Sequence, residues 1–274
     1  DVIPGKNLTD FVSTKYNGKV KPKGWMVPAD CAESYTWAVL KVTTGQEVTP
    51  LSNSGVHLST WRDGDANAIY GSIPGIMTIG TLQLSLESNG NSTSSVSGGI
   101  TFRNTPDQIA TEYRATAASN MNNWRLWVNL SDGSNTIQTL HEEPYSSLKE
   151  WKSVVKELNY SGLGLIQQMN LTVNSAHSDN AKDLGGITKR ISELDIRNLR
   201  FIYNSKIDSV YVDGNVATIK GDSIFYTIDN TEYNQLPTLT IIGEKADQMP
   251  VITWGEEVNG IREATIHNVA EDGS

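Results

Sequence analysis

Regular alternation of apolar and polar residues between Gly75 and Ala118 constrains the fold more than any other feature. Every second residue from Leu82 to Leu86 is leucine, within the longer run Ile76–Glu87. A repeat of two places these leucines on one face of a half-buried β-strand. The low-complexity segment Ser88–Ser97 follows, and its side chains bury too little apolar area to offset the entropy of ordering. We therefore expect one strand over Ile76–Glu87 and an exposed loop over Ser88–Ser97.

Two later stretches, Ile109–Ala115 and Trp124–Leu130, alternate in the same way. The residues expected on their core faces are Ile109, Thr111, Tyr113, Ala115, Trp124, Leu126, Val128 and Leu130. In total about ten short strand-like runs, separated by Gly, Asn, Asp and Ser, precede Asn204, and none of the intervening segments forms a long amphipathic helix pattern. This pattern predicts an all-β sandwich of the jelly-roll type.

The pattern changes near residue 204, where a second set of short strand-like runs begins. These runs are Ile207–Val212, Val216–Lys220, Ser223–Ile228, Thr238–Ile242, Val251–Trp254 and Ala264–Asn268. Short strands over about 70 residues are typical of a small immunoglobulin-like (Ig-like) sandwich. We therefore expect two domains, a jelly roll over residues 1–204 and an Ig-like domain over residues 205–274.

Composition excludes several classes of protein. The 274 residues carry a formal net charge of −9, which disfavours nucleic acid and anionic membranes as partners. No run of apolar residues is long enough to span a membrane. Cys31 is the single cysteine, so an internal disulfide and a cysteine-rich zinc site are excluded. The chain has seven Trp and ten Tyr against four Phe, and this excess suits wet binding surfaces because Trp and Tyr combine an apolar face with a polar group.

The loop after Trp61 carries the sharpest local signal. Asp63, Asp65 and Asn67 repeat the alternate spacing of oxygen ligands in calcium loops. An EF-hand is excluded, because Ala68 stands where that loop needs glycine. A calcium site of another geometry and a solvated turn both remain open, and the solvated turn is favoured.

The same loop also has the residues of a sugar-binding site. An aromatic ring can stack on the C–H face of a pyranose, while carboxylates and guanidinium groups bind its hydroxyls. Loops at the ends of a sandwich are where binding residues collect. The candidate ligand-binding residues are Trp61, Arg62, Asp63, Asp65 and Tyr70. An alternative role for Trp61 is the last core position of its strand.

Catalytic motifs are weak. A glycosidase needs two carboxyl groups about 5–10 Å apart. The adjacent Glu142 and Glu143 cannot form that pair if the chain is extended, because neighbouring side chains of a strand point to opposite faces. Either glutamate paired with Asp63, Asp65 or Glu112 stays conceivable. The four histidines are far apart and form no zinc motif, so the chain is more readily interpreted as a non-enzyme.

Several stretches in order resemble a known family. They are Pro22–Trp25, Ile73–Gly80 (IPGIMTIG), Gly98–Gly99 with Phe102 and Arg103, Pro106 followed by Tyr113–Arg114, and Trp151 followed by Leu158–Tyr160. Together they resemble the carbohydrate-metabolism domain of surface lipoproteins from gut Bacteroidetes, over residues 7–204. The segment Leu194–Asn204 (LDIRNLRFIYN) with the following SKIDSVYVDG is similar to that family's last strand running into an Ig-like module.

Membership of this family would imply a galactose-binding-like jelly roll, a lipid anchor upstream of residue 1, and a location at the outer-membrane surface or in the periplasm. The ending ATIHNVAEDGS resembles the point just before the final strand of such Ig-like modules, so we expect the last strand to be missing and an edge to be unpaired. The leading hypothesis is a glycan-binding or glycan-handling accessory protein of the cell surface without its own catalysis. The alternatives are a glycoside hydrolase with a carboxylate pair, and a structural or adhesion module that contacts neighbouring surface proteins.

Overall fold

The structure of the chain, a computed structural model, describes residues 3–5, 8–15, 19–31, 48–62, 72–73, 75–86, 92–117, 123–143, 150–175, 189–226, 235–245, 248–259 and 262–270. It divides into two compact units. The first unit contains Asp1–Asn104 and Gln108–Ile202, and the second contains Thr105–Asp107 and Tyr203–Ser274. The described part of the chain has no helix with the length and apolarity of a membrane-spanning segment.

The first unit is built from short strands and one turn of 3-10 helix, Pro28–Asp30, among the residues described. Its strands are β1 (Phe11–Ser13), β2 (Val20–Pro22), β3 (Val48–Pro50), β4 (Val56–Arg62), β5 (Ser72–Ile73), β6 (Ile76–Ile79), β7 (Thr81–Leu86), β8 (Ser92–Ser97), β9 (Ile100–Thr101), β10 (Gln108–Ala117), β11 (Trp124–Ser131), β12 (Thr136–Glu143), β13 (Lys152–Glu157), β14 (Gln168–Asn174) and β15 (Lys189–Ile202).

Two antiparallel sheets form the sandwich. The β10 sheet has the strand order β13-β10-β15-β4-β3, with β5 paired to β4. The β11 sheet has the order β12-β11-β14-β6, with β9 paired to β14. Strands β7 and β8 pair with each other as a separate hairpin, and β1 pairs with β2. The prediction of an all-β sandwich is confirmed, while the jelly-roll topology stays a prediction.

The core lies between the two sheets. Strand β11 alternates buried and half-buried residues along its whole length, as its sequence predicts. The buried core side chains of β10 and β11 are Ile109, Tyr113, Ala115, Trp124, Leu126, Val128 and Leu130, and they join one cluster with Met169, Leu171 and Val173 from β14. Full burial of one such aliphatic side chain stabilises the fold by about 1.5–3 kcal/mol.

Two predictions for the first stretch are wrong. The expected single strand Ile76–Glu87 is two strands, because the backbone turns at Gly80 with φ of +133°. The expected loop Ser88–Ser97 contains β8, which pairs with β7 from Thr81↔Ser97 to Leu86↔Ser92. Backbone hydrogen bonds to β7 hold this serine-rich strand in place, so it needs little apolar burial of its own.

The second unit contains seven strands among its described residues: β16 (Ile207–Val212), β17 (Asn215–Val216), β18 (Thr218–Lys220), β19 (Ser223–Phe225), β20 (Leu239–Gly243), β21 (Met249–Trp254) and β22 (Ala264–Val269). They form one three-stranded sheet, β17-β16-β20, and two hairpins. Its core is small, with Val210, Val212 and Ala217 buried. Thr105–Asp107 belongs to this unit: the Asp107 carboxylate accepts the Asn204 N–H at 2.6 Å and lies 3.0 Å from Lys245 Nζ. The Ig-like topology and the missing last strand stay predictions.

Candidate functional site

The residues that the sequence analysis selected for ligand binding lie at the end of β4 and beyond it. Trp61 pairs with Ile73 and Arg62 pairs with Ser72 through their backbones, and the structure does not describe their side chains. The remaining candidates, Asp63, Asp65, Asn67 and Tyr70, lie outside the described residues. The sugar-binding and calcium interpretations of this loop therefore stay predictions.

Three of the candidate catalytic carboxylates, Glu112, Glu142 and Glu143, are described, and they lie on different surfaces of the sandwich, whereas Asp63 and Asp65 lie outside the described residues. Glu142 is on the outer face of the β11 sheet, where it accepts a hydrogen bond from Asn123 Nδ2 at 2.6 Å and lies 3.2 Å from Arg125 Nε. Glu143 points to the inner side and pairs with Lys152. Glu112 is on the outer face of the β10 sheet. Each is bound to a neighbouring polar or basic group, and the hydrolase alternative stays a prediction.

A different surface, the outer face of the β11 sheet, brings uncharged polar side chains together. Cross-strand register arranges this face in four rows that run across β12, β11 and β14. The rows are Thr136–Ser131–Gln168, Gln138–Asn129–Asn170, Leu140–Trp127–Thr172 and Glu142–Arg125–Asn174. The face therefore changes from hydroxyls and amides at one end, through the apolar pair Leu140 and Trp127 of the third row (the apolar row), to an ion pair at the other.

A depression of about 230 Å³ lies at the amide and hydroxyl end of this face. Its lining residues are Val96, Ser97, Gly98, Asn129, Ser131, Thr136, Gln168 and Asn170. The sheet supplies the floor, and the end of β8 supplies one wall. None of the eight lining side chains is ionisable. The depression can therefore offer hydrogen-bond donors and acceptors, but no formal charge.

Two asparagines form a directed chain of hydrogen bonds in the floor. Asn129 Nδ2 donates to Asn170 Oδ1 at 2.8 Å, and Asn170 Nδ2 donates to the Gly98 carbonyl at 3.1 Å. This chain fixes the orientation of both amides and attaches the floor to the wall. The side-chain oxygen Oδ1 of Asn129 has no partner among the described residues, so it can accept a hydrogen bond from a ligand.

Glycines set the position of the wall. Gly99 has φ of +152°, and a Cβ there would lie 2.2 Å from the Met169 carbonyl oxygen. Gly80, at the other end of the hairpin, has φ of +133°, and its Cβ would lie 3.1 Å from the Ser97 carbonyl oxygen. Both ends of the β7–β8 hairpin therefore require glycine, because φ is positive there and a neighbouring main-chain oxygen occupies the space that a Cβ atom would need.

An apolar row lies next to the amide row. Trp127 is half-buried and Leu140 is 38% exposed, and the two are direct cross-strand neighbours. Trp127 and Val96 both pack against a small cluster that contains Leu82 and Ile76. An aromatic ring and an amide row two residues apart on one strand provide the two kinds of contact that carbohydrate recognition uses.

A permanent negative charge lies beside the depression. Asp132 follows Ser131, and its Oδ2 accepts the Gly164 N–H at 2.8 Å. Its Oδ1 accepts the N–H groups of Asn135 at 2.7 Å and Ser134 at 2.8 Å. These backbone donors, Gly164 first, hold the pKa of the exposed Asp132 carboxyl well below its usual range. The turn is therefore ionised at every physiological pH.

A second polar cluster lies on the inner side, at the edge strands β12 and β13. Tyr113 and Trp124 have ring centroids 4.5 Å apart, and those of Trp124 and His141 are 5.0 Å apart. Glu143 Oε2 lies 3.3 Å from His141 Nε2, and Glu143 Oε1 accepts a hydrogen bond from Lys152. Burial raises the pKa of Tyr113 to about 12 and lowers the pKa of His141. We interpret this cluster as a junction between edge strands, since its aromatic members are packed in the core.

The outer face of the β10 sheet carries an aromatic ring beside two guanidinium groups. Arg197 Cζ lies 4.0 Å from the ring centroid of Trp151, and Arg114 Cζ lies 4.9 Å from it. Arg197 Nε donates to Glu112 at 2.5 Å, and Arg114 Nε donates to Asp195 at 2.6 Å. Each arginine is therefore paired with a carboxylate.

His57 extends this network. Its Nδ1 lies 2.6 Å from Asp195 Oδ1, and its Nε2 lies 3.6 Å from Glu193 Oε1. Burial alone would raise the pKa of Asp195, but hydrogen bonds from His57 and Arg114 outweigh it and lower that pKa. No group of three or more His, Cys, Asp and Glu side chains within the described ranges is arranged to hold a metal ion.

The depression escaped the sequence analysis for an identifiable reason. The alternation in β11 identifies its core residues, and the same pattern predicts only that Asn129 and Ser131 face outward. The available signal was the repeat of amides on the outward positions of β11, β12 and β14: Asn129, Gln138, Gln168 and Asn170.

Fold and geometry define the class of this protein as an antiparallel β-sandwich with an uncharged polar depression on one sheet face. No protein-family model matches the chain, and the search of curated proteins finds no match to it. The resemblance to the Bacteroidetes carbohydrate-metabolism domain therefore stays a prediction.

Proposed function

We propose that the first unit is a non-catalytic glycan-binding module and that the depression on the β11 sheet is its binding site. The observation that carries this proposal is the lining of the depression, which combines amides and hydroxyls with no ionisable side chain. Amides donate and accept at once, and this suits the hydroxyls of sugars, which also do both.

The neighbouring row supports the same ligand. Trp127 and Leu140 lie next to Asn129 on the outer face, and this apolar row can cover the C–H groups of a pyranose. Successive rows are about 7 Å apart, since two residues of a strand advance the chain by that distance. An oligosaccharide can therefore place the hydroxyls of one sugar unit on the amides and the neighbouring sugar unit on the apolar row. A shallow site of this kind implies modest affinity.

The test is calorimetric titration of the full chain with oligosaccharides that represent the common host and plant glycans. We expect at least one of these oligosaccharides to bind. The Gln168→Ala variant should bind it about tenfold more weakly, because one hydrogen bond to the ligand is lost. Gln167→Ala is the matched control, because Gln167 is also exposed and immediately precedes Gln168 but does not line the depression.

Absence of any binder would count against the proposal. Binding that is unaffected by Gln168→Ala and by Asn129→Ala would place the glycan site elsewhere and refute the assignment to this depression. The calcium prediction is checked in the same titrations, with and without a chelator. The extracytoplasmic location, the lipid anchor, and the hydrolase and adhesion alternatives stay predictions.

A further inference from the structure

We propose that this depression selects uncharged glycans and rejects those that carry carboxylate or sulfate groups. This inference rests on the proposed function and names the substrate class of the same site. Its first support is the absence of any cationic group among the eight lining residues. An anionic sugar would lose water there without gaining an ion pair, and desolvation of an uncompensated charge is unfavourable.

The second support is a carboxylate that adjoins the lining in the chain. Asp132 directly follows the lining residue Ser131, and three backbone N–H groups keep its carboxyl ionised. An anionic ligand in the depression would therefore meet repulsion instead of a counter-charge. The formal net charge of −9 on the whole chain acts in the same direction over longer distances.

The third support is the location of the nearest arginine on this face. Arg125 lies two rows beyond the amide row and is neutralised by Glu142, with Nε 3.2 Å from Oε2. Glu142 already holds Arg125 through Nε and Nη2, so a uronate bound beside Asn129 would compete with Glu142 for the charge of that guanidinium. The face therefore offers neutral hydrogen bonding at one end and a saturated ion pair at the other.

The experiment compares matched pairs of ligands that differ in charge alone, galacto-oligosaccharides with galacturonate oligomers and manno-oligosaccharides with mannuronate oligomers. We expect the uronate of a binding pair to bind about tenfold more weakly than its neutral counterpart, from desolvation and repulsion together. Added salt should strengthen uronate binding and leave neutral binding unchanged, since screening weakens only the repulsion.

Two charge variants localise the effect. Gln168→Lys places a cation in the depression, so it should raise uronate affinity and reduce the discrimination. Gln167→Lys adds the same charge one residue outside the lining, and we expect the smaller change from it.

The outcomes separate the two proposals. Uronates that bind as well as, or better than, the neutral sugars would overturn the selectivity and leave glycan binding intact. Lack of binding by every neutral and anionic ligand would overturn both. Equal responses to Gln168→Lys and Gln167→Lys would show that discrimination arises from the field of the whole chain, and would overturn its assignment to the depression.

Discussion

Replacement of Gly99 by alanine should destabilise the first unit far more than replacement of its neighbour Gly98. The two residues connect β8 to β9 and both have positive φ, +67° at Gly98 and +152° at Gly99. Their surroundings differ. A Cβ at Gly98 would meet nothing within 4 Å, whereas one at Gly99 would lie 2.2 Å from the Met169 carbonyl oxygen.

The magnitudes follow from these two environments. Gly98→Ala incurs only the left-handed backbone conformation, which costs about 1 kcal/mol. Gly99→Ala combines a backbone region that is almost restricted to glycine, at about 1–3 kcal/mol, with displacement of the β9–β14 pair, at about 1–3 kcal/mol. We therefore expect Gly99→Ala to lower the free energy of unfolding by about 2–6 kcal/mol.

Urea unfolding followed by tryptophan fluorescence measures both variants, and the shift of the midpoint at an unchanged slope gives the difference in stability. Equal costs for the two substitutions would refute the reasoning from the close approach to Met169. If Gly99→Ala is obtained only as insoluble protein, Gly80→Ala replaces it, since a Cβ at Gly80 has a milder approach of 3.1 Å. Its cost should then exceed that of Gly98→Ala, since a Cβ at Gly98 would meet nothing within 4 Å.

Two further predictions concern interactions in the sandwich. Burial alone would raise the pKa of Glu143. The hydrogen bond and the charge of Lys152 outweigh burial, so the pKa of Glu143 in the folded state lies below its ordinary value. Glu143 therefore stabilises the fold above about pH 4.3, and this stabilisation is lost as pH falls through the folded-state pKa. The Glu143→Gln variant should lose less stability than the original chain when pH is lowered through this range. An equal loss of stability in both proteins would contradict this. Thr78 and Thr172 have hydroxyl oxygens 2.7 Å apart in a buried pair. A double-mutant cycle with Thr78→Val and Thr172→Val should give a coupling of about 1 kcal/mol, and additive effects would disprove it.

Sequence patterns predicted the faces of individual strands well. The core positions of β10 and β11 follow directly from a repeat of two, because each strand has one face in the core. The single-strand prediction failed at Gly80, where the backbone changes direction and the apolar positions shift by one residue, from Met77 and Ile79 to Leu82 and Leu84. The loop prediction failed at β8, whose serine-rich sequence resembles a loop and whose pairing depends on β7.

The candidate site was less predictable, because it depends on which strands become neighbours. Asn129 and Asn170 are 41 residues apart in the chain, and they share a hydrogen bond only because β11 pairs with β14. Periodicity identifies the residues on one face of a strand but contains no information about the strand beside it. Contiguous polar residues such as Asp63–Asn67 are therefore visible in the sequence, whereas a candidate site assembled from separate strands is not.

The self-paired hairpin β7–β8 has a consequence for how such a module can diversify. The hairpin joins the β11 sheet through Gly80 at one end and Gly98–Gly99 at the other, and in the described part of the chain its strands pair only with each other. Substitutions at Val96 and Ser97, which line the depression, would reshape the wall without altering the register of any strand in the two sheets. Related sequences could therefore exchange one ligand for another by varying this hairpin, while the two sheets are inherited unchanged.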